Sequence, residues 1–305
     1  MKKLFFIFNP VSGKKVIHKK LAKIIDEFVK AGYEITIRTT QSGEDAVEQA
    51  AYACKQDYDK IIVAGGDGTL SQCLQGIMNS EKKLPIGYIP AGSTNDFAES
   101  LGIPNEQIKA AKSIIHGKPV QCDIGGLNGV YFTYVVGFGA FTNLTYETPQ
   151  NIKNVFGHPA YLAMAFPELR KLKSRRMRIE HDGEVLEDDY IVGLVTNASQ
   201  AGGVLRFKEY TLNDGLFEVL LVRKPKDAAE LKGVITALLK NDVTNKNMTF
   251  FRTDKLTVTN LSGEPVPWTR DGEYGGNADV NEICCYKRAV EFVLRSKGNP
   301  AFEKN

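Results

Sequence analysis

Lys60-Ile61-Ile62-Val63-Ala64-Gly65-Gly66-Asp67-Gly68-Thr69-Leu70 is the stretch that decides the fold. An apolar run of strand length ends in a glycine-rich turn, and a helix-like segment follows from Leu70 to Asn79. Glycines let backbone approach an anion closely, and the N–H groups opening the next helix aim the positive end of its dipole at the same point. The turn is therefore a phosphate cradle, with a carboxylate inside it. A bare Asp67 would repel phosphate, so the motif makes chemical sense with a divalent cation between them, as in nucleotide-dependent phosphoryl transfer. Read more plainly, the glycines only make a flexible strand-to-helix turn.

Two commoner glycine motifs fit poorly. A P-loop closes on Lys-Ser or Lys-Thr, whereas this turn closes on Thr69-Leu70. As a dinucleotide fingerprint, Gly66-x-Gly68-x-x-Ser71 has serine where a third glycine belongs. The next apolar run ends in Pro90-Ala91-Gly92 and not in a ribose-binding acid. A nicotinamide enzyme is disfavoured.

Outward from this turn, the first 120 residues alternate strand-like and helix-like segments. Leu4 to Phe8, Glu34 to Arg38, Lys60 to Ala64 and Ile86 to Ile89 read as strands. Val16 to Lys30, Ala46 to Cys54 and Leu70 to Asn79 read as helices, the first with Leu21, Ile24, Ile25 and Phe28 at helical spacing. Such alternation predicts a parallel sheet covered by helices, with ligands at the carboxyl ends of its strands. Four turns lie at those ends: Asn9 to Lys14, Thr39-Thr40, Gly65 to Thr69, and Pro90 to Asp96. After Cys122-Asp123 the rhythm shortens to hairpins, interrupted by helical stretches near 160–173 and Ala228 to Lys240. His181-Asp182-Gly183-Glu184 reads as a turn between Met177–Glu180 and Tyr190–Thr196. Further strands are predicted at Phe217 to Val222, Leu256 to Thr259, Ile283 to Tyr286 and Ala289 to Leu294.

At 305 residues the chain can hold two domains and a substantial core. Hydrophobic content of 43% and charged content of 25% are those of a soluble globular protein. A net charge of +3 is too small to argue for nucleic acid as a partner. The apolar run Leu4 to Phe8 stops at Asn9-Pro10, too early for a signal peptide, and no run reaches membrane-spanning length. Five cysteines without paired spacing suit a reducing cytoplasm. The four histidines form no metal-binding pattern, and no Gly-x-Ser-x-Gly elbow is present.

Several residues have both a chemical and a plain structural reading. Ser12, Gly13 and Lys14 open a lysine-rich helix, where they could meet phosphates or form a solvated turn. Gly92, Ser93, Thr94, Asn95 and Asp96 offer hydroxyls and N–H groups, and Asn95 or Asp96 could equally cap a helix. Asn213-Asp214-Gly215 and Asp271-Gly272-Glu273 place carboxylates in strong turn sequences. Their chemical reading has one carboxylate assisting a cation and another taking a proton from an attacking hydroxyl. Asp123 stands at the junction of the halves, suited to a cleft or a turn. Apolar residues 160–166 beside Arg170, Lys171, Lys173, Arg175, Arg176 and Arg178 could rest on an anionic membrane or form a packed helix with a solvated basic end.

Taken in order, the segments Asn9 to Lys14, Thr39-Thr40 with Gly43 to Ala46, Gly65 to Thr69, Gly92 to Ala98, Cys122 to Gly125, Asn213 to Phe217 and Asp271 to Glu273 resemble the soluble bacterial diacylglycerol kinase family and its lipid-kinase relatives. The resemblance spans nearly the whole chain. It implies an N-terminal three-layer α/β nucleotide-binding domain, residues 1–122 with about 289–305, and a C-terminal β-sandwich domain, residues 123–288, that takes the lipid. It implies ATP and Mg2+ as cofactors. ATP would meet Asn9, Pro10, Val11, Ser12, Gly13, Lys14, Thr40, Gly65, Gly66, Asp67, Gly68, Thr69, Gly92, Ser93, Thr94 and Asn95. Asp67 would act through magnesium, and Glu273 would be the general base. Asp214, with main-chain carbonyls near Thr211 and Leu216, would hold a structural magnesium. The implied setting is cytoplasmic, with transient docking on a membrane that carries the lipid substrate, and a homodimer is compatible. Diacylglycerol is the first candidate acceptor; other lipids, NAD, and a regulatory protein without turnover are the alternatives. Where members commonly continue with asparagine and glutamate, this chain has Ser71-Gln72.

Overall fold

The structure, a computed structural model, describes residues 1–13, 16–139, 173–201, 205–206, 210–295 and 301–302. Lys14, Arg170, Lys171 and the helix expected near 160–173, up to residue 172, lie outside the described residues.

The first half is built from β1 (Lys2–Phe8), α1 (Val16–Lys30), β2 (Tyr33–Thr39), α2 (Gly43–Cys54), β3 (Lys60–Gly65), α3 (Asp67–Met78), β4 (Ile86–Pro90), α4 (Asp96–Ser100) and α5 (Gln107–Ile115). The strands pair in parallel in the order β4-β3-β1-β2. Leu4 to Phe8 and Ile61 to Ala64 are buried on both faces, which is why these strands read as unbroken apolar runs. Helix α1 packs with α5 and α2 with α3, covering the two faces as right-handed crossovers require. Ser42 caps α2 by accepting the Asp45 N–H, so that helix starts three residues before the predicted Ala46. Helix α3 likewise begins at Asp67, which puts the carboxylate in its first turn.

The second half holds β5 (Lys118–Leu127), β6 (Val130–Phe132), β7 (Val135–Gly139), β8 (Arg175–His181), β9 (Glu184–Thr196), β10 (Gln200–Ala201), β11 (Leu205–Arg206), β12 (Phe217–Arg223), α6 (Ala228–Leu239), β13 (Met248–Thr253), β14 (Lys255–Asn260), β15 (Trp268–Arg270), β16 (Glu273–Gly276) and β17 (Val280–Leu294). Its strands pair antiparallel. The β8–β9 hairpin turns on Asp182-Gly183, both at positive φ, as the sequence predicts. Strand β9 pairs with β8 along its first half and with β7 and β12 along its second, so it crosses from one layer of the sandwich to the other. Met177, Ile179, Leu256 and Ile283 from one layer share a core with Val136, Phe138, Val219 and Trp268 from the other.

The two halves are joined by shared strands. β17, predicted as two segments, is one strand that pairs with β14 near its start, with β5 along its length, and with β4 in parallel at Phe292. Its pairing with β5 shifts register between Tyr286 and Val290, where Arg288 takes a φ of 51°. Asp123, fully buried, fastens this joint by accepting the N–H groups of Arg288 and Gly215, both at 2.6 Å.

Candidate active site

Three of the strand-end turns meet backbone to backbone. The Asn9 amide donates to Thr69 Oγ1 at 3.1 Å, tying the first turn to the Gly65–Thr69 turn. Gly13, at φ 55°, lies so close to the fourth turn that a Cβ there would stand 2.4 Å from the Ala91 carbonyl oxygen. A Cβ on Gly92 would stand 2.7 Å from Gly66 Cα. No side chain fits at these contacts, which explains the glycines better than chain flexibility does. Asn95 holds the helix-capping position of α4 at φ 56°, yet its side chain does not cap. It turns back to accept the Gly92 N–H at 2.8 Å and donate to the Gly92 carbonyl at 3.1 Å. The hydroxyls of Ser93 and Thr94 are left exposed, while Ser12 and Thr40 are buried. Thr40 donates its N–H to the Phe8 carbonyl, so the second turn lies beside the first.

Asp67 is buried at the floor of this cluster, 8% exposed. Its oxygens accept from Tyr88 Oη at 3.4 Å and from the Asp96 N–H at 3.2 Å. Burial pushes its carboxyl up to about 7, and the negative charges of Asp96 and Asp271 push the same way against those hydrogen bonds. Tyr88 and Tyr134, both buried, are raised well above the ordinary phenol range, first by burial and then by the same carboxylates. The floor is thus overloaded with negative charge. Among the described residues no three acidic, histidine or cysteine side chains converge to hold a metal on their own. A magnesium ion that shared Asp67 with water and nucleotide phosphates suits this donor set, since magnesium is commonly held by one or two carboxylates plus phosphates.

The β half reaches the same place through one hairpin. Asp271-Gly272, at φ 48° and 83°, is the two-residue turn between β15 and β16, as the hairpin reading expects. The buried Asp271 carboxylate accepts the N–H groups of Thr133, Tyr134 and Val135 and the Thr133 hydroxyl, at 2.7 to 3.2 Å. Burial raises its carboxyl and those four donors oppose the shift. With Asp271 pinned, Glu273 at the start of β16 leans across to α3. A Cβ on Gly68 would stand 2.9 Å from Glu273 Oε1, so the glycine leaves the room that this exposed carboxylate occupies. Neither Tyr88 nor the 133–135 segment is singled out by the sequence. Tyr88 is a polar-tipped residue inside an apolar strand, a weak signal, and Tyr134 offers none.

The structure separates Asp214, Thr211 and Leu216 from this cluster of contacts. Asp214 Oδ1 accepts the Leu216 N–H at 3.0 Å, and Oδ2 is paired with the guanidinium of Arg252. A fixed positive charge thus sits beside the carboxylate expected to hold a structural magnesium. The basic residues considered for membrane contact are also compensated within the described part of the chain. Lys173 and Arg175 pair with Glu264, Arg176 with Glu187, and Arg178 with Glu180. No described helix is long and apolar enough to cross a membrane. Gln72 packs its amide against Gly43 at the start of α2, 2.6 Å from where a Cβ would be.

Comparison with known proteins places each half. Residues 3–127 match the diacylglycerol kinase catalytic domain, and residues 135–291 match the YegS C-terminal NAD kinase beta sandwich-like domain. The chain is 35% identical over 299 residues to a diacylglycerol kinase of Bacillus subtilis (strain 168), covering 97% of this chain and 98% of that one. It is 34% identical over 283 residues to a diacylglycerol kinase of Staphylococcus carnosus (strain TM300), covering 92% and 91%. The crystal structure of a diacylglycerol kinase from Bacillus anthracis (strain Sterne) superposes with a TM-score of 0.76 at 21% identity, covering 97% of each chain, a likeness of fold.

Proposed function

The chain belongs to the diacylglycerol kinase family and is a lipid kinase, and from that premise we propose that it transfers the γ-phosphate of ATP to the free hydroxyl of diacylglycerol, giving phosphatidic acid. The observation that carries this reading is the approach of Glu273 to Gly68, which sets an exposed carboxylate from the β half against the first turn of α3, the turn that also holds buried Asp67.

ATP binds along the strand-end turns. The N–H groups of the first turn of α3 face its phosphates, and the turns at residues 9–13 and 92–95 line them, with the hydroxyls of Ser93 and Thr94 at the rim. Lys14 belongs to the same proposed set. Magnesium, when bound with the nucleotide, supplies charge neutralisation at the β- and γ-phosphates. Asp67 would be the residue of this chain that holds the ion. Glu273 accepts the proton of the lipid hydroxyl as that oxygen attacks the γ-phosphorus and the bond to the bridging oxygen breaks, releasing ADP, and it needs no burial to do so. Tyr88 and the Asp96 N–H hold Asp67 in place, and Asp271 holds the hairpin that carries Glu273.

The purified chain is expected to transfer labelled phosphate from Mg-ATP to diacylglycerol in mixed micelles. Absence of transfer to every member of a diverse lipid panel, with several nucleotide donors supplied, would sink the reading. NAD is the second acceptor to test, because residues 135–291 match an NAD kinase-like sandwich. Product analysis with NAD as acceptor separates the two.

A further inference from the structure

Beyond the reaction itself, we propose that the guanidinium of Arg252 takes the place of a structural cation at Asp214, so that the β half keeps its fold with no divalent ion there. The pairing is built into the sheet. Glu218 on β12 stands opposite Arg252 on β13 in the antiparallel register, and Asp214 lies in the turn that feeds β12. Arg252 Nε donates to Glu218 Oε1 at 3.2 Å while Nη2 donates to Asp214 Oδ2. One planar fork thus bridges two carboxylates, a geometry that suits guanidinium and that an ammonium group reproduces poorly.

The turn also has its fastenings without an ion. Asp123 Oδ2 accepts the Gly215 N–H at 2.6 Å, and the Leu212 carbonyl accepts the Asp123 N–H at 2.7 Å. Leu212 donates its own N–H to the Ala301 carbonyl, and Arg288 Nε donates to the Asn213 carbonyl at 3.0 Å. Asp214 Oδ1 is engaged by Leu216. Among the described residues, no buried side-chain polar atom left without a partner belongs to this turn. Magnesium demands near-octahedral oxygen ligation at about 2.1 Å. To bind Asp214 it would have to displace the guanidinium or sit against its positive charge. Glu218, only 1% exposed, would lose its counter-charge in the exchange.

The test is thermal unfolding without nucleotide or lipid, in EDTA and across a magnesium series, which makes it independent of the acceptor and of turnover. The wild-type midpoint is expected to stay within about 1 °C, against the several degrees that a saturated ion site would add. Arg252→Gln is expected to lower the midpoint and to make it rise with magnesium. That rise should vanish in the Arg252→Gln/Asp214→Asn double variant. Arg252→Lys, which keeps the charge, is expected to unfold without magnesium dependence. A wild-type rise that Asp214→Asn abolishes would overturn the proposal even if Arg252→Gln does not fold. A wild-type rise that survives Asp214→Asn and is lost in Asp67→Asn assigns the ion to the nucleotide turn and supports it.

Discussion

Replacing Asp67 with asparagine should abolish phosphoryl transfer and make the protein more stable. In the fold the carboxyl is pushed from 3.8 to about 7, and each tenfold in proton affinity corresponds to about 1.4 kcal/mol. Ionising Asp67 therefore costs about 4 kcal/mol more in the folded chain than in the unfolded one. The direction follows from proton counts. Between the two values the folded state keeps the proton and the unfolded state has lost it, so stability falls as pH rises and levels off above about 7. The Asp67→Asn variant escapes this penalty. Its amide oxygen can still accept the Asp96 N–H, and its NH2 can donate to Tyr88 Oη, so no buried group is orphaned. Urea unfolding of wild type and Asp67→Asn, without magnesium or nucleotide, at pH 5 and pH 8 is the assay. The variant's advantage should grow by about 3 kcal/mol between the two conditions. An advantage that does not change with pH, or a variant less stable than wild type at pH 8, would show that the buried carboxylate is not carrying the assigned charge penalty.

Three further outcomes follow from the same geometry. Glu273→Gln should lower kcat by about 10²- to 10⁴-fold, the usual worth of a general base, with an unchanged melting midpoint because the side chain is exposed. Gly68→Ala should cut kcat by roughly 10²-fold by pushing the Glu273 carboxylate aside, while ATP KM stays near wild type and stability holds or rises, alanine being the better helix former. Gly13→Ala should do the opposite: a strained positive φ and a collision with the Ala91 carbonyl should raise ATP KM and cost about 1 to 3 kcal/mol in denaturant unfolding.

The α/β half was readable because β1, β3 and β4 are buried on both faces and α1 and α2 each bury one stripe, so local pattern and global fold agree. Val16–Lys30 is recovered residue for residue, and the four predicted strands fall within two residues of their observed ends. The departures come where side chains outside the local window decide. β17 looks interrupted at Lys287-Arg288, yet Asp123, far away in sequence, accepts the Arg288 N–H and lets one strand pass through a left-handed residue. Asn95 looks like a helix cap, but its side chain is recruited by Gly92 across the turn. Arg252 and Asp214 carry no spacing signal at all, because their meeting depends on the β12–β13 register. Asp271 shows the limit most clearly: its Asp-Gly turn was legible, whereas the three successive N–H groups that fill its carboxylate come from residues 133–135.

That division bears on how the two halves cooperate. A hinge between independently packed domains would need a linker, but here β5 and β17 pair with each other through both halves, and β17 ends alongside β4. Helix α3 adds a second tie, since the Gln75 side chain exchanges hydrogen bonds with the backbone of Tyr131 at 2.7 and 3.1 Å. Opening the site as a rigid-body motion would break paired strands, which costs far more than moving a turn. The approach of Glu273 to Gly68 is therefore set by sheet geometry and by the Asp271 clasp. The freedom left for ATP and lipid to enter lies in the strand-end turns and at the exposed edge that carries Glu273.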